Sequence, residues 1–302
     1  MRVLIVGLGS IARKHISALN EIDKNIEIFA IRSKQTADGE ENGINNLYST
    51  SSLEDYNFSF IIISTPTFLH EQNLKELEYL KLPFFIEKPI SDTLNIKNYL
   101  FKYDDFQTYV ACNLRFLDSL CFLKNKCNLS ELRINEVNVY AGSYLPDWRP
   151  NINYKENYSA LPEKGGGVHI DLIHEIDYVY WFFGKPKDKK SYFKSNSSID
   201  IKSIDYANYI LEYDYFTVSI ILNYYRKDSK RYIELITDKN TFYVDLLSNE
   251  VFKDNISIFK SEQKIIDTYK LQLEYFISLL SKKDTSFNTL KDGVEVLNIC
   301  IG

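Results

Sequence analysis

An apolar strand runs straight into a glycine turn within the first ten residues: Val3-Leu4-Ile5-Val6-Gly7-Leu8-Gly9-Ser10-Ile11-Ala12. A strand that enters a tight turn at Gly7 and leaves it as a helix at Ser10 and Ile11 is the opening unit of an α/β sheet. Gly9 lets backbone approach a pyrophosphate, and Ala12 allows close packing of helix on strand. The helix then offers its first N–H groups to an anion. The bare pattern GxGxxA is weakly specific, but its position after a strand and before a helix strengthens it.

The following hundred residues keep the alternation. Strand patterns are expected at Arg2–Val6, Ile26–Ile31, Phe58–Ser64, Pro83–Ile86 and Thr108–Cys112, and helices at Ser10–Asn20, Thr67–Lys81 and Ser91–Tyr103, the last with Ser91 as N-cap. Phe60-Ile61-Ile62-Ile63 is apolar on both faces, which belongs in a parallel sheet covered by helices. The order predicts a doubly wound α/β domain. From about residue 130 the character changes. A strand begins at Glu136–Ala141, and a Pro/Trp/Tyr-rich loop covers Tyr144–Lys164. A helix follows Gly165-Gly166-Gly167, and alternating segments come at Ala207–Tyr213, Phe216–Tyr224, Arg231–Thr237 and Thr241–Leu246. These predict an open, mainly antiparallel sheet, with helices to finish at about 263–282 and 287–300. The expected division is 1–118 and 119–302.

Composition excludes several classes. Lys+Arg 36 against Asp+Glu 41 leaves a net charge of −5, with no basic block to suit nucleic acid. No apolar run reaches the roughly 20 residues that span a bilayer. The amino end has no charged leader, so a cytoplasmic protein is expected. Cys112, Cys121, Cys127 and Cys300 lack CxxC spacing, and neither a metal site nor a disulfide framework is expected.

Further segments carry chemistry. After the second strand, Arg32 and Ser33 stand where a ribose-reading carboxylate would select NAD; an Arg and a hydroxyl suit a 2′-phosphate, so NADP(H) is favoured over NAD(H). Ser64, Thr65, Pro66 and, shortly after, His70 follow a buried strand at its carboxyl end, where open α/β sheets bind ligands. Glu87-Lys88-Pro89 ends the next strand in the same way. A Lys desolvated in a cleft suits proton transfer, although an isolated Lys is more often a surface residue. Asp171 and His174, three apart in the helix after the glycines, are neighbours on one face. A carboxylate beside an imidazole suits acid/base work, and equally a structural hydrogen bond. In the loop, Tyr144, Trp148 and Arg149 are expected to contact substrate, the rings through their faces and Arg149 through a phosphate or carboxylate, with Arg115 a second candidate for that charge.

Together these segments resemble the Gfo/Idh/MocA oxidoreductase family over nearly the whole chain. The resemblance rests on GLGSIARKH at 7–15, STPTFLH at 64–70, EKP at 87–89, NLRF at 113–116 and GGG…D..H..D at 165–177. It implies a Rossmann domain followed by an α+β domain, and NAD(P)-linked hydride transfer at a sugar, cyclitol or nucleotide-sugar hydroxyl. It also implies Lys88 and His174 near the nicotinamide, assisted by Asp171. The commoner family pattern places the Asp four residues before the His, whereas His174 and Asp177 keep the family's H-x-x-D spacing. GSYLPDWRP at 142–150, with NYSA and GGG after it, looks like a bacterial subgroup associated with surface-glycan sugar biosynthesis. An NAD-dependent glycosidase with transient oxidation, and a non-catalytic cofactor-binding regulator, are the alternative activities. A homodimer or homotetramer is expected, because both faces of the strand at 217–224 carry apolar residues.

Overall fold

The apolar runs become the strands of a six-stranded parallel sheet. The structure, a computed structural model, describes residues 1–32, 43–99, 107–127, 129–149, 152–282 and 287–302. The sheet is built from β1 (Arg2–Val6), β2 (Glu27–Ile31), β3 (Ile44–Leu47), β4 (Phe60–Ile63), β5 (Phe84–Glu87) and β6 (Thr108–Ala111), with α1 (Ser10–Ile22) after β1 and α2 (His70–Leu77) after β4. Its order is β3-β2-β1-β4-β5-β6. Phe60, Ile61, Ile62 and Ile63 are all fully buried, as a strand covered on both faces must be. The order reverses between β1 and β4, and ligands of open α/β sheets bind beside the carboxyl ends of the strands at such a reversal.

Two expectations in this sheet change. The helix expected over Ser91–Tyr103 is a 3-10 turn at Leu94–Tyr99, and its later residues lie outside the described ones. The Ser91 hydroxyl accepts from the Thr93 N–H at 3.1 Å, a local turn bond that competes with an α-helical start. β3 was not expected, because its sequence Ile-Asn-Asn-Leu lacks a strand pattern.

The second sheet has eight strands. After α3 (Asp118–Lys126) come β7 (Ile134–Tyr144), α4 (Val168–Asp171) and α5 (His174–Phe183). Then follow β8 (Asp188–Lys194), β9 (Tyr206–Glu212), β10 (Thr217–Asn223), β11 (Tyr225–Thr237), β12 (Thr241–Asp245), β13 (Glu250–Lys253) and β14 (Ile256–Lys260). The order is β14-β13-β12-β11-β7-β10-β9-β8, antiparallel except for β7 beside β10. Val137, Val139, Val218, Ile220, Leu222, Ile233 and Leu235 form the buried face, against which α3, α4 and α5 pack. Tyr209 and Leu211 join that core, while Tyr215 sits 82% exposed after β9. The other face carries a ring ladder: Tyr140 stacks on Tyr232 at 5.8 Å, Tyr232 meets Tyr243 at 5.2 Å, and Tyr243 meets Phe252 at 6.1 Å.

The chain finishes with α6 (Asp267–Lys282) and α7 (Leu290–Ile301). By contacts, one compact unit comprises Met1–Asn113 with Ile266–Asn298, and the other Leu114–Ile265 with Ile299–Gly302. In the first, α6 packs on α1, and Phe276 sets its ring edge-on to Phe60 and Phe85. Among the described residues no helix is long and apolar enough to cross a membrane.

Candidate active site

Gly7 takes φ +88°, and a Cβ there would stand 2.9 Å from the Thr65 methyl and 3.1 Å from its backbone. Only glycine lets these two loops approach so closely. Around Gly9 the situation is opposite: nothing lies within 4 Å of where its Cβ would be. Gly9 is also the N-cap of α1, which has no side-chain cap and no acid in its first turn. Open space before uncapped N–H groups is what a pyrophosphate needs. Ser10 and Ile11 begin the helix, and Ala12 is fully buried beneath them. Arg32 follows β2, with its N–H bonded to the Leu47 carbonyl at 2.9 Å. Ser33 lies outside the described residues.

The loop after β4 is laced to this turn. Ser64 Oγ lies 3.1 Å from the carbonyls of Val6 and Gly7, and Thr65 Oγ1 donates to Asn73 Oδ1 at 2.7 Å. Pro66 starts the 3-10 turn that leads into α2. His70 is not exposed beside this turn. It is 1% exposed, and its ring nitrogens lie 2.9 Å from the carbonyls of Pro89 and Thr65. Burial lowers its pKa, opposed by its hydrogen bond to Thr65 and by the charge of Glu87. Glu87 is buried too, its carboxylate accepting from His15 Nε2 at 2.6 Å. Lys88, half-buried, lies between Glu87 and Pro89, with the Lys88–Pro89 peptide cis.

In the second unit the single helix expected after the glycines is two pieces. α4 ends at Asp171 and α5 starts at His174, with Leu172 and Ile173 breaking the run between them. The carboxylate instead meets Tyr224, whose hydroxyl donates to Asp171 Oδ2 at 2.5 Å. Tyr224 is fully buried, and burial first, then the Asp171 charge, keeps its hydroxyl protonated far above the usual range. Trp148 stands edge-on to that ring at 5.3 Å and donates to Ser143 Oγ at 2.9 Å. Arg149 bonds Asn157 Oδ1 and lies 5.0 Å over the Tyr158 ring. Tyr144 is half-buried, with the Lys227 ammonium 5.6 Å from its ring centre. Trp148, Tyr224 and Asp171 thus form one chain of contacts. Tyr224 was not singled out as a site residue; its place in a strand pattern resembles any core tyrosine.

Arg115 is elsewhere engaged. It is 3% exposed and forks onto Asp177, with Nη2–Oδ1 at 2.7 Å and Nε–Oδ2 at 3.0 Å. Arg231 grips Glu175 in the same manner at 2.6 and 3.1 Å. Two bidentate pairs therefore fix the first turns of α5, which carry His174, and breaking either would strand a buried charge.

Residues 1–102 match the oxidoreductase family's NAD-binding Rossmann fold, and residues 126–301 match its C-terminal alpha/beta domain. The chain belongs to the Gfo/Idh/MocA oxidoreductase family. Three solved structures share the fold of this chain. Levoglucosan dehydrogenase in complex with NADH has a TM-score of 0.85 at 13% identity, covering 99% of this chain and 95% of that one. The WlbA dehydrogenase from Bordetella pertussis, in complex with NADH and UDP-GlcNAcA, has 0.80 at 19%, covering 100% and 95%. Myo-inositol 2-dehydrogenase from Lactobacillus plantarum has 0.78 at 19%, covering 99% and 95%. No curated protein matches the sequence. The nicotinamide dinucleotide that Gfo/Idh/MocA membership implies fits the open turn at Gly9.

Proposed function

We propose that the protein is an NAD(P)-dependent dehydrogenase or reductase of a hydroxyl or keto carbon in a sugar or nucleotide sugar, serving bacterial surface-glycan precursor synthesis. The observation that carries the reading is the open, uncapped start of α1 behind Gly9, beside the β1/β4 reversal of strand order. Gly7, Gly9, Ser10 and Ile11 would hold the pyrophosphate, with Ser64, Thr65 and Pro66 lining the adjacent loop. The bound nicotinamide supplies hydride transfer. Lys88 and His174 are assigned to the hydroxyl proton. Asp171, held by the Tyr224 hydroxyl, supplies fixed negative charge, and Tyr144, Trp148 and Arg149 contact the sugar. Arg115 is assigned to support of α5 rather than to substrate, because its guanidinium is buried on Asp177. Arg32 and Ser33 favour NADP(H) over NAD(H). The sugar dehydrogenases among the structural relatives support the substrate class. A cytoplasmic location and a homo-oligomer complete the reading.

A panel of sugars and nucleotide sugars, offered with NAD(H) and NADP(H) and followed by nicotinamide absorbance, tests it. Net absorbance change is expected, with NADP(H) preferred; a glycosidase would cleave substrate with none. Lys88→Ala and His174→Ala should each lower turnover by roughly 10²–10⁴-fold. A variant within about threefold of wild type would remove that residue from the role.

A further inference from the structure

We infer that His15 and His70 are positioning residues that fix the backbone on either side of Lys88, each gripping one of its two chain neighbours. The inference rests on the proposed role of Lys88 as a proton-handling group. On the amino side, His15 Nε2 donates to the Glu87 carboxylate at 2.6 Å. A carboxylate only accepts, so this nitrogen carries the hydrogen. The imidazole is boxed in turn, edge-on to Phe85 at 5.1 Å and tilted against Tyr269 at 5.6 Å. On the carboxyl side, the Pro89 carbonyl lies 2.9 Å from His70 Nδ1, and His70 Nε2 lies 2.9 Å from the Thr65 carbonyl. His15 thereby ties the end of β5 to the helix behind the glycine turn, and His70 ties the loop after β5 to the loop packed on Gly7.

Neither imidazole is placed to touch a cofactor, since His15 is 0% and His70 1% exposed. His70, expected from the sequence to bind cofactor, is therefore assigned to act through Lys88. Filling space does not account for the pair. A site selected for volume alone would take an apolar side chain, because a buried polar ring with incomplete partners is costly. His70 faces two carbonyl acceptors, whereas a neutral imidazole has one N–H. The charged group facing it is Glu87, itself held by His15. What the two rings share is Lys88 between their contacts.

The test compares His15→Phe and His70→Phe with wild type by three readouts. The first is the rate at which a lysine-directed reagent labels Lys88, measured by peptide mass spectrometry across pH with exposed Lys24 as internal reference. The second is NAD(P) affinity by fluorescence titration, and the third is turnover. Relative Lys88 labelling should change by at least about threefold, because labelling reads how the ammonium is held and reached. Turnover should fall roughly 10- to 100-fold, as for a reacting group misplaced by about an ångström, with cofactor affinity within about threefold. His15→Gln, which keeps a donor for Glu87, should return labelling toward wild type. Unchanged Lys88 labelling in folded variants, or cofactor affinity that falls in step with turnover, would overturn the inference. Should a phenylalanine variant fail to fold, Glu87→Gln and His70→Asn take its place under the same labelling threshold. Labelling reads Lys88 without turnover, so failure of every sugar in the panel counts against the proposed activity and leaves this test standing.

Discussion

Burial holds the His169 imidazole down to about 4 from its ordinary 6.5, with its ring tilted against Phe193 at 5.3 Å. The folded chain keeps this ring neutral where the unfolded chain takes up a proton. Its contribution to stability is therefore complete above pH 6.5 and is lost as pH falls from 6.5 through about 4. At 1.36 kcal/mol per unit, the loss is on the order of 3 kcal/mol. His70, lowered for the same reason, adds in the same direction. Urea unfolding across that window should show a smaller stability loss in His169→Gln than in wild type; equal losses would defeat the assignment. Arg115 and Asp177 are buried together with their fork complete. Sequence spacing does not disclose such a pair, since its partners are 62 residues apart. That is why Arg115 reads as a substrate cation until its surroundings are known.

The triple glycine is an element built for crowding. Gly165 and Gly167 take φ +73° and +145°, and a Cβ on Gly166 would lie 2.1 Å from the Tyr158 carbonyl oxygen and 2.8 Å from those of Ser159 and Leu161. Gly166→Ala must push a backbone segment aside. It should destabilise the protein by about 1–3 kcal/mol, the range for overpacking, measured by chemical unfolding; an unchanged midpoint would show that the turn yields freely. Elements were legible where one physical signal dominated. The doubly buried β4 and the alternating β10 declared themselves by pattern, and the glycine turn by its place between strand and helix. β3, with two asparagines at its centre, and β8, with three lysines in seven residues, carry no such signal because they sit at sheet edges where burial asks little of them. The break at Leu172–Ile173 was hidden because Leu172, Ile173, Ile176 and Val179 keep helical apolar spacing across it. Tyr224 was hidden for a related reason: burial fixes its residue type, and only the partner of its hydroxyl distinguishes it.

At the scale of the whole molecule, the ring-bearing face of the second sheet carries the proposed homo-oligomer. Helices α3, α4 and α5 cover one side. The other side carries half-buried Tyr140, Tyr232, Tyr243 and Phe252 in a continuous ladder across β7, β11, β12 and β13, with Ile210 and Ile221 on neighbouring strands. An antiparallel sheet tolerates one wet face, and single exposed tyrosines need no partner. A ladder of four adjoining rings is different, because it forms one contiguous patch of the kind that meets another surface. The patch is also laced with groups that self-association could pair: Arg226 lies 5.1 Å over Tyr140 and bonds its hydroxyl at 3.1 Å, while Asn138 and Glu234 bond each other beside it. Two copies related by a two-fold axis would bring the same rings and charges together, the commonest closed solution. Light scattering coupled to size exclusion at micromolar concentration should therefore give at least twice the chain mass. Tyr232→Glu combined with Tyr243→Glu should give the monomer with its fold retained, since both rings are on the outer face and desolvating two carboxylates opposes association. A wild-type monomer would end the proposal. Dimers that survive both glutamates would move the interface off this sheet.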